Sequence, residues 1–479
     1  MIRRVFWGMT TGVLLVLILV RISGLVERKS AYQKNSDFMK QSEDLDVLFL
    51  GTSHVINGVF PMELWKEYGI TSYNLSGHAH SIPTSYWVMM NALDYAHPGL
   101  VVMDCYRLEA DGKDSKSFAH ISFDSLPLSA NKVKAIWDLY DTADERVEYL
   151  CNFSLYHSRW WDVGADDFVP VTGYEKGAEL KNTVVRVEQS DSIDADRIEK
   201  RTIDSTGTVY LRKILEECRK RKIEVLLTYL PFEASEKDWI SAGYVEEIAR
   251  QYDVGYINFL DLNVIDRDTD YADESTHLNL SGAERVTRYL GNYIQQYYDI
   301  ADHRKDKLAE QWDEDYREYM AYKIQRISNL ETLQNCLIAL TDPNLSCCIY
   351  VDDRAGIWNS DGFYERLIRN LARGQELSGL EEAVQEREPY LLLLDRVNGE
   401  IVEKTGRTDL EVETSFGRVC YTSEGVEGRE LRIGETEKNL LAFGEGDQQP
   451  TVTIAVVNDL DHSVVYVGEF YDMHRVYRE

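Results

Sequence analysis

The sequence has few cysteines for its length and far fewer positive than negative charges. Its 479 residues include seven cysteines, with no framework spacing and no C-x-x-C pair. This excludes a disulfide-stapled scaffold, which a chain of this size does not need. The formal net charge of −30 repels phosphate backbones, so we expect no nucleic-acid partner. An apolar fraction of 44% still allows sizeable cores, and the length predicts two domains.

Two further features are missing. His78 and His80 have no third ligand at metal-like spacing, so we assign no metal and no cofactor. The apolar run from Val5 to Val20, behind Arg3 and Arg4, is not followed by a small-residue cleavage signal. It is predicted to be an uncleaved signal anchor within residues 1–30, and a cleaved signal peptide is the alternative. The basic residues would keep the N-terminus in the cytoplasm and the bulk of the chain outside.

Strand and helix signals alternate through the middle of the chain. Strands are predicted at residues 47–50, 71–77, 99–106, 223–231 and 254–260, and helices at 81–95, 209–221, 244–252 and 281–298. This alternation predicts an α/β fold with a doubly wound parallel sheet. Residues from about 107 to 204 interrupt it and are predicted to be an insertion that caps the carboxyl edge of the sheet.

A serine and a histidine follow the first and last predicted strands. Ser53 ends Gly51-Thr52-Ser53, and His277 precedes the last helix. The carboxyl ends of parallel strands meet at one edge, where ligands bind. A serine, a histidine and a carboxylate placed there can perform acyl transfer. In the alternatives without chemistry, Ser53 is a helix cap and His277 is a loop residue. The helix that follows His277 is predicted to have Ser281 as its cap. His54 is expected in the first turn of a helix rather than as the base.

Three blocks resemble those of the SGNH (GDSL-like) hydrolases and acyltransferases, in particular the membrane-anchored bacterial branch that includes D-alanine transfer and alginate O-acetylation proteins. The blocks are "FLGTSHV", "YNLSGHAHS" and "DESTHLNLSG", within residues 46–298. The resemblance implies Ser53 as nucleophile, His277 as base, and the N–H groups of Ser53 and Gly77 as the oxyanion hole. Gly77 could otherwise serve only a tight turn.

The chain departs from that family pattern in two places. The family acid lies three residues before the histidine, where this chain has Glu274, whereas Asp273 lies four before it. Both are kept as candidates, with Asp273 favoured by residue type. The asparagine block after the third strand is missing, and Asp104, Tyr106 and Arg107 stand there instead. One oxyanion donor is therefore unidentified.

Two further segments have candidate roles. In the insertion, His157, Arg159 and Trp160, followed by Trp161, suit a sugar ring or an anionic group. His157, Arg159 and Trp160 are predicted to bind substrate together with His54. The alternative is that the tryptophans only pack the insertion onto the sheet. Residues 301–330 are predicted to be a helical linker. The predicted division of the chain is therefore an anchor at 1–30, an SGNH-like domain at 31–300, this linker, and a C-terminal module at 331–479.

The last segment, 331–479, is predicted to be a smaller α+β domain, rich in strands and with one helix. Over residues 349–473 it weakly resembles the interleukin-like EMT inducer domain, which implies a binding or packing module. No catalytic constellation is visible in its sequence.

Two functions follow. The first is an extracytoplasmic serine acyl-transfer protein, an O-acetyltransferase or esterase acting on a cell-envelope or exported polysaccharide, with a membrane-bound O-acyltransferase as partner. The second is a non-catalytic glycan-binding accessory subunit of such an acyltransferase. The missing asparagine favours the second, and the pairing of Ser53 with His277 favours the first.

Overall fold

The structure is a computed structural model that describes most of the chain. Described are residues 34–110, 114–124, 126–150, 156–165, 173–187, 198, 201–359, 361–425, 428–434, 439–441, 450–471 and 473–475, together with 3, 6–12, 14, 15, 18 and 22. The predicted anchor, residues 1–30, therefore lies largely outside the described residues. Among the helices that are described, none is long and apolar enough to cross a membrane.

Five parallel strands form a central sheet in the order β2-β1-β3-β4-β5. They are β1 Val47–Leu50, β2 Ser72–Asn74, β3 Leu100–Asp104, β4 Glu224–Tyr229 and β5 Gly255–Asn258. β1 and β3 are buried along their whole length, as expected of strands covered on both faces. The predicted parallel sheet is confirmed. The strand order reverses between β1 and β3, and such a switch point opens a crevice at the carboxyl ends of those strands.

Helices and connecting segments complete the first part of the chain. They are α1 Lys34–Gln41, α2 Ser53–Gly58, α3 Pro61–Tyr68, α4 Ile82–Ala92, α5 Lys116–Phe123, α6 Ala130–Leu139, α7 Ala143–Leu150, α8 Thr206–Arg221, α9 Glu236–Tyr252, α10 Leu280–Tyr297 and α11 Ala309–Ile327. α9 begins eight residues earlier than predicted. Its start is set by a capping box, in which Ser235 and Asp238 satisfy each other's backbone N–H groups.

The chain groups into two compact units. The first contains residues 1–179, 191–263 and 287–313, and the second contains 180–190, 264–286 and 314–479. This grouping differs from the division predicted at residue 300. In the second unit, residues 180–187 hydrogen-bond to the loop before α10, since Val185 N–H donates to Tyr271 O at 2.9 Å and Leu280 N–H donates to Lys181 O at 2.8 Å.

Two antiparallel sheets lie in the second unit. The larger has the order β14-β13-β12-β6-β7-β8, and the smaller has the order β11-β10-β9. Their strands are β6 Leu345–Val351, β7 Tyr390–Asp395, β8 Glu400–Thr405, β9 Leu410–Thr414, β10 Gly417–Gly425, β11 Gly428–Ile433, β12 Val452–Asn458, β13 Val464–Tyr471 and β14 His474–Arg475. Apolar residues of β6, β7, β10, β11 and β12 form one shared core cluster.

This part of the chain has more helix than predicted. Its described residues contain three α-helices, α12 Leu333–Ala339, α13 Phe363–Leu371 and α14 Ser378–Glu386, so the prediction of one helix was wrong. α12 and α14 have seven and nine residues, which is too short for a helical period to stand out from the sequence.

The six described cysteines form no disulfide with one another. Cys347 and Cys348 follow each other in β6, and both side chains are fully buried. Burial raises the pKa of Cys347 to about 12. They behave as small apolar core residues.

Candidate functional site

Ser53 is the first residue of α2, immediately beyond the carboxyl end of β1. The preceding Thr52 caps this helix, because its hydroxyl accepts the N–H of His54 at 3.3 Å. The interpretation of Ser53 as the helix cap was therefore wrong. Gly51 makes the turn between strand and helix with φ 149°, and a Cβ there would lie 2.7 Å from Val55 Cγ2 and 2.9 Å from Asp104 Cβ. Only glycine fits a turn this close to β3.

His54 lies in the first turn of α2, as expected from the sequence. Its ring packs in one cluster with those of Tyr106 and Phe232, whose centroids are 4.4 Å and 4.8 Å away. The residue is 6% exposed. Contact with a substrate, the role predicted for it, stays a prediction.

Gly77 follows β2 and continues its ladder with β1. Leu75 N–H donates to Phe49 O at 2.9 Å, and Gly77 N–H donates to Gly51 O at 3.1 Å. The Gly77 N–H would have to give up this bond before it could bind an oxyanion. On the other side of the same peptide group, Ser76 O accepts a hydrogen bond from Lys34 Nζ at 2.6 Å. A Cβ on Gly77 would collide with the His80 imidazole.

Two strained loops, one after β2 and one after β3, are joined by a hydrogen bond. Ala79 and Arg107 both have positive φ, 52° and 67°, and the Arg107 guanidinium donates to Ala79 O. Non-glycine residues in this region cost free energy and cluster at functional sites. Next to them, His80 Nε2 lies 2.5 Å from Ser122 Oγ. Burial, aided by the nearby Lys34 charge, lowers the pKa of His80 to about 3, so its ring is neutral.

Asp104 ends β3 directly beside Gly51. Its Oδ1 accepts the Leu230 N–H at 2.9 Å, and Oδ2 is buried without a hydrogen-bond partner. Burial raises the pKa of Asp104 to about 7 against the opposing influence of the Leu230 and Tyr106 N–H groups and the Thr228 hydroxyl. This carboxyl group therefore keeps its proton over most of the acidic range.

The raised pKa predicts a pH-dependent effect of Asp104→Asn. The unfolded chain loses the Asp104 proton near pH 4 and the folded chain near pH 7, so this group lowers stability progressively as the pH rises between those values. An asparagine does not titrate. Its stability advantage over the native residue should therefore grow by roughly 2–3 kcal/mol from pH 5 to pH 7.5. Urea unfolding at both pH values measures this, and an advantage that stays constant would show that Asp104 is already ionised at pH 5.

His277 and Asp273 are brought together by a tight loop in the second unit. Ala272 N–H donates to His277 O at 2.7 Å, and Thr276 N–H donates to Asp273 O at 3.0 Å. Thr276 has φ 59°, which is rare for a β-branched residue. His277 Nδ1 lies 3.0 Å from each carboxylate oxygen of Asp273. The ring is thereby held with its Nδ1–H on the carboxylate, which leaves Nε2 as the basic nitrogen.

Asp273 has a second partner that the sequence did not suggest. Lys181 Nζ lies 3.1 Å from Asp273 Oδ2. Burial opposes ionisation of Asp273, but the bonds from Lys181 and His277 outweigh it and lower its pKa below the ordinary value. Glu274, the other predicted acid, is exposed. Of the two candidates, Asp273 is the one that contacts the ring.

The start of α10 corrects one sequence interpretation. The helix begins at Leu280, and Asn279 caps it by accepting the Gly282 N–H at 3.2 Å. Ser281, the predicted cap, donates its hydroxyl to Asp270 Oδ1 at 2.6 Å. Ser53 belongs to the first unit and His277 to the second, and their pairing stays a prediction.

The predicted substrate residues of the insertion lie on a 3-10 turn, His157–Asp162. Trp160 is 53% exposed and Trp161 is 88% exposed. Packing onto the sheet, the alternative explanation of these tryptophans, does not account for rings that are this exposed. Substrate contact by His157, Arg159 and Trp160 stays a prediction.

Comparisons with known proteins do not assign the chain to a family. No protein-family profile matches the chain, and no curated protein matches it. Among solved structures, a candidate acylhydrolase from Bacteroides fragilis is similar, with 11% identity and a TM-score of 0.29 over 56% of this chain and 99% of that one. A superposition this loose supports no argument about function.

Proposed function

We propose that this protein is a serine acyl-transfer protein, an O-acetyltransferase or esterase, with Ser53 as its nucleophile. The observation that supports this most is the Asp273–His277 pair, in which both carboxylate oxygens lie 3.0 Å from Nδ1. Ser53 adds to it because it follows β1 at the switch point of the sheet. The proposal requires that His277 reach the Ser53 hydroxyl.

The chemistry would run in two steps. His277 Nε2 takes the proton of the Ser53 hydroxyl while Oγ attacks the acyl carbonyl, and the donor's leaving group departs with that proton. A sugar hydroxyl, or water, then gives a proton to His277 and attacks the Ser53 ester, which releases the acyl product and restores the serine. Asp273 stabilises the imidazolium in both steps.

The negative charge that develops on the carbonyl oxygen needs donors. The Ser53 N–H is one candidate, and the Gly77 N–H is a second only if it leaves Gly51 O. Losing one oxyanion donor costs about 2.7–4 kcal/mol in other enzymes. Hydrolysis of simple esters is therefore expected to be slow even if the site is active.

The hydrogen bond from Gly77 to Gly51 favours a second candidate function. A site without its oxyanion donors would suit a glycan-binding accessory subunit of a membrane O-acyltransferase. The His277–Asp273 bond argues against this, because a binding subunit has no need of an oriented imidazole.

A fluorophosphonate probe separates the two functions. An activated serine should be labelled, and Ser53→Ala should remove the label, since the probe reacts with the hydroxyl that the base deprotonates. Ser122→Ala is the matched control, because Ser122 also contacts an imidazole but one with a strongly lowered pKa. Absence of labelling in the native chain between pH 6 and 9 would favour the accessory function.

The acceptor and the setting belong to the same proposal. We take the acceptor to be a cell-envelope or exported polysaccharide, and the acyl donor to be supplied by a membrane-bound O-acyltransferase. An anchor within residues 1–30 would hold the folded units outside the cell membrane, with the N-terminus in the cytoplasm. The acidic composition agrees with a neutral acceptor rather than a polyanion.

A further inference from the structure

A pocket of about 410 Å³ lies beside β5, between α9 and α10. It is contained in the first unit, and neither His80 nor Arg107 lines it. Its size falls in the range of small-ligand sites. β5 is the edge strand of the sheet, three strand spacings or about 14 Å from β1. The pocket adjoins the carboxyl end of β5, where Asn258 and Asp261 line it.

Aromatic side chains dominate the wall of the pocket. Trp239 comes from α9, Tyr256 from β5, and Tyr289 and Tyr293 from α10. Two of them are held by neighbouring residues, since Tyr256 OH donates to Ala242 O at 2.9 Å and the Tyr289 ring lies 5.2 Å from that of Phe259. Rigid rings with an apolar face and a polar tip bind flat, partly polar molecules with little loss of entropy.

The polar groups of the pocket are acceptors rather than cations. Asp261 Oδ2 accepts a hydrogen bond from Asn258 Nδ2 at 2.6 Å, and Glu246 is paired with Arg250 of the next helical turn. Each carboxylate is thus partly satisfied and keeps an oxygen for another donor. None of the side chains described around the pocket is positively charged. This disfavours phosphates and carboxylates, and the Arg250 partner weakens the field that would attract an amine.

A glycine in the middle of α9 keeps the pocket open. A Cβ on Gly243 would meet no atom within 4 Å, so packing does not require glycine there. Glycine inside a helix lowers stability relative to alanine. Its effect at this position is to leave a gap in the pocket wall, where any larger side chain would project into the space a ligand could fill.

We propose that this pocket binds a neutral saccharide, with the aromatic rings against the sugar face and Asp261 and Glu246 accepting from its hydroxyls. This site is separate from the proposed acyl-transfer site and does not depend on it. If both proposals hold, a polysaccharide bound at β5 would extend along the carboxyl edge of the sheet towards β1.

Isothermal titration tests this with the purified chain and three probes, cellotetraose, maltotetraose and chitotetraose. At least one should bind with a dissociation constant below about 10 mM. Gly243→Phe should weaken that binding at least about tenfold by filling the pocket, and Trp239→Ala should weaken it similarly by removing a ring. Trp137→Ala, at a tryptophan exposed on α6, should leave binding unchanged.

Several outcomes overturn the proposal. These are a failure of all three probes to bind, binding that survives both Gly243→Phe and Trp239→Ala, and binding of choline or propylamine in place of the sugars. Because Gly243→Phe adds a side chain and Trp239→Ala removes one, loss of binding in both at an unchanged unfolding midpoint points to the pocket itself. The titration is repeated with Ser53→Ala, so a failure of acyl transfer leaves its result unaffected.

Discussion

Replacing Asp273 by alanine is expected to lower the rate of p-nitrophenyl acetate hydrolysis, and of fluorophosphonate labelling at Ser53, by about 10³–10⁴-fold. The carboxylate holds His277 Nδ1 with both oxygens at 3.0 Å. Without it the imidazole loses control of its tautomer, and the imidazolium formed in the reaction loses its counter-ion. The second-order rate constant for each reagent is measured at a pH above which the rate no longer rises.

Glu274→Ala is the matched control for this experiment. Glu274 is adjacent in sequence and equal in charge, but it is exposed, so its removal should change the rate by less than about tenfold because solvent and salt screen its charge. A large loss in Glu274→Ala with a small one in Asp273→Ala would reverse the assignment. Small effects from both would mean that His277 acts with Ser53 alone or that the triad is wrong.

The second large effect concerns stability of the second unit. Lys323 of α11 forms an ion pair with the Asp342 carboxylate, with side chains that are 4% and 0% exposed. Lys323→Met keeps most of the side-chain volume but leaves Asp342 buried without its counter-charge. We expect the free energy of unfolding to fall by about 3–5 kcal/mol, measured by urea denaturation at pH 7.

Two comparisons make this result specific. Lys220→Met removes an exposed lysine that pairs with Glu217, and it should leave the free energy of unfolding almost unchanged because ion pairs of surface lysines contribute little. The double variant Lys323→Met/Asp342→Leu should recover much of the loss, because no buried charge is left unpaired. If Lys323→Met costs no more than Lys220→Met, water reaches the Asp342 carboxylate and the pair is not buried in solution.

The central sheet could be predicted because its strands are short apolar runs with clear ends. β1 was predicted at its observed limits, since Val47–Leu50 is uniformly apolar and Gly51 closes it. The C-terminal strands β9–β11 have a weaker signal in the sequence. In β9, partly buried and exposed residues alternate, so its signal is polar and weak. The position of this small sheet depends on the core that it shares with β6 and β7 rather than on local sequence.

The sequence could not predict which side chains form the hydrogen bonds around the candidate site residues. Thr52 rather than Ser53 caps α2, and Asn279 rather than Ser281 caps α10. In each case a neighbouring residue has an equally suitable side chain, and only the backbone geometry decides between them. Lys181 lies far from Asp273 in sequence, so nothing local could have identified it. The capping box at Ser235 and Asp238 was visible in the sequence and would have placed the start of α9 correctly.

Helix α1 limits the distance between the central sheet and residues 1–30. Lys34, its first residue, is fastened to Ser76 O by Nζ and to the Tyr73 hydroxyl by its own carbonyl oxygen, at 2.6 Å and 2.9 Å. Lys34 is four residue steps from residue 30, and a fully extended chain covers at most about 14 Å over that length. With residues 1–30 anchored in a membrane as proposed, the loop at Ser76 and Gly77 would be tethered to a thin layer at the bilayer surface. A tether this short favours an acyl donor delivered by a neighbour in the same membrane over one that diffuses in solution.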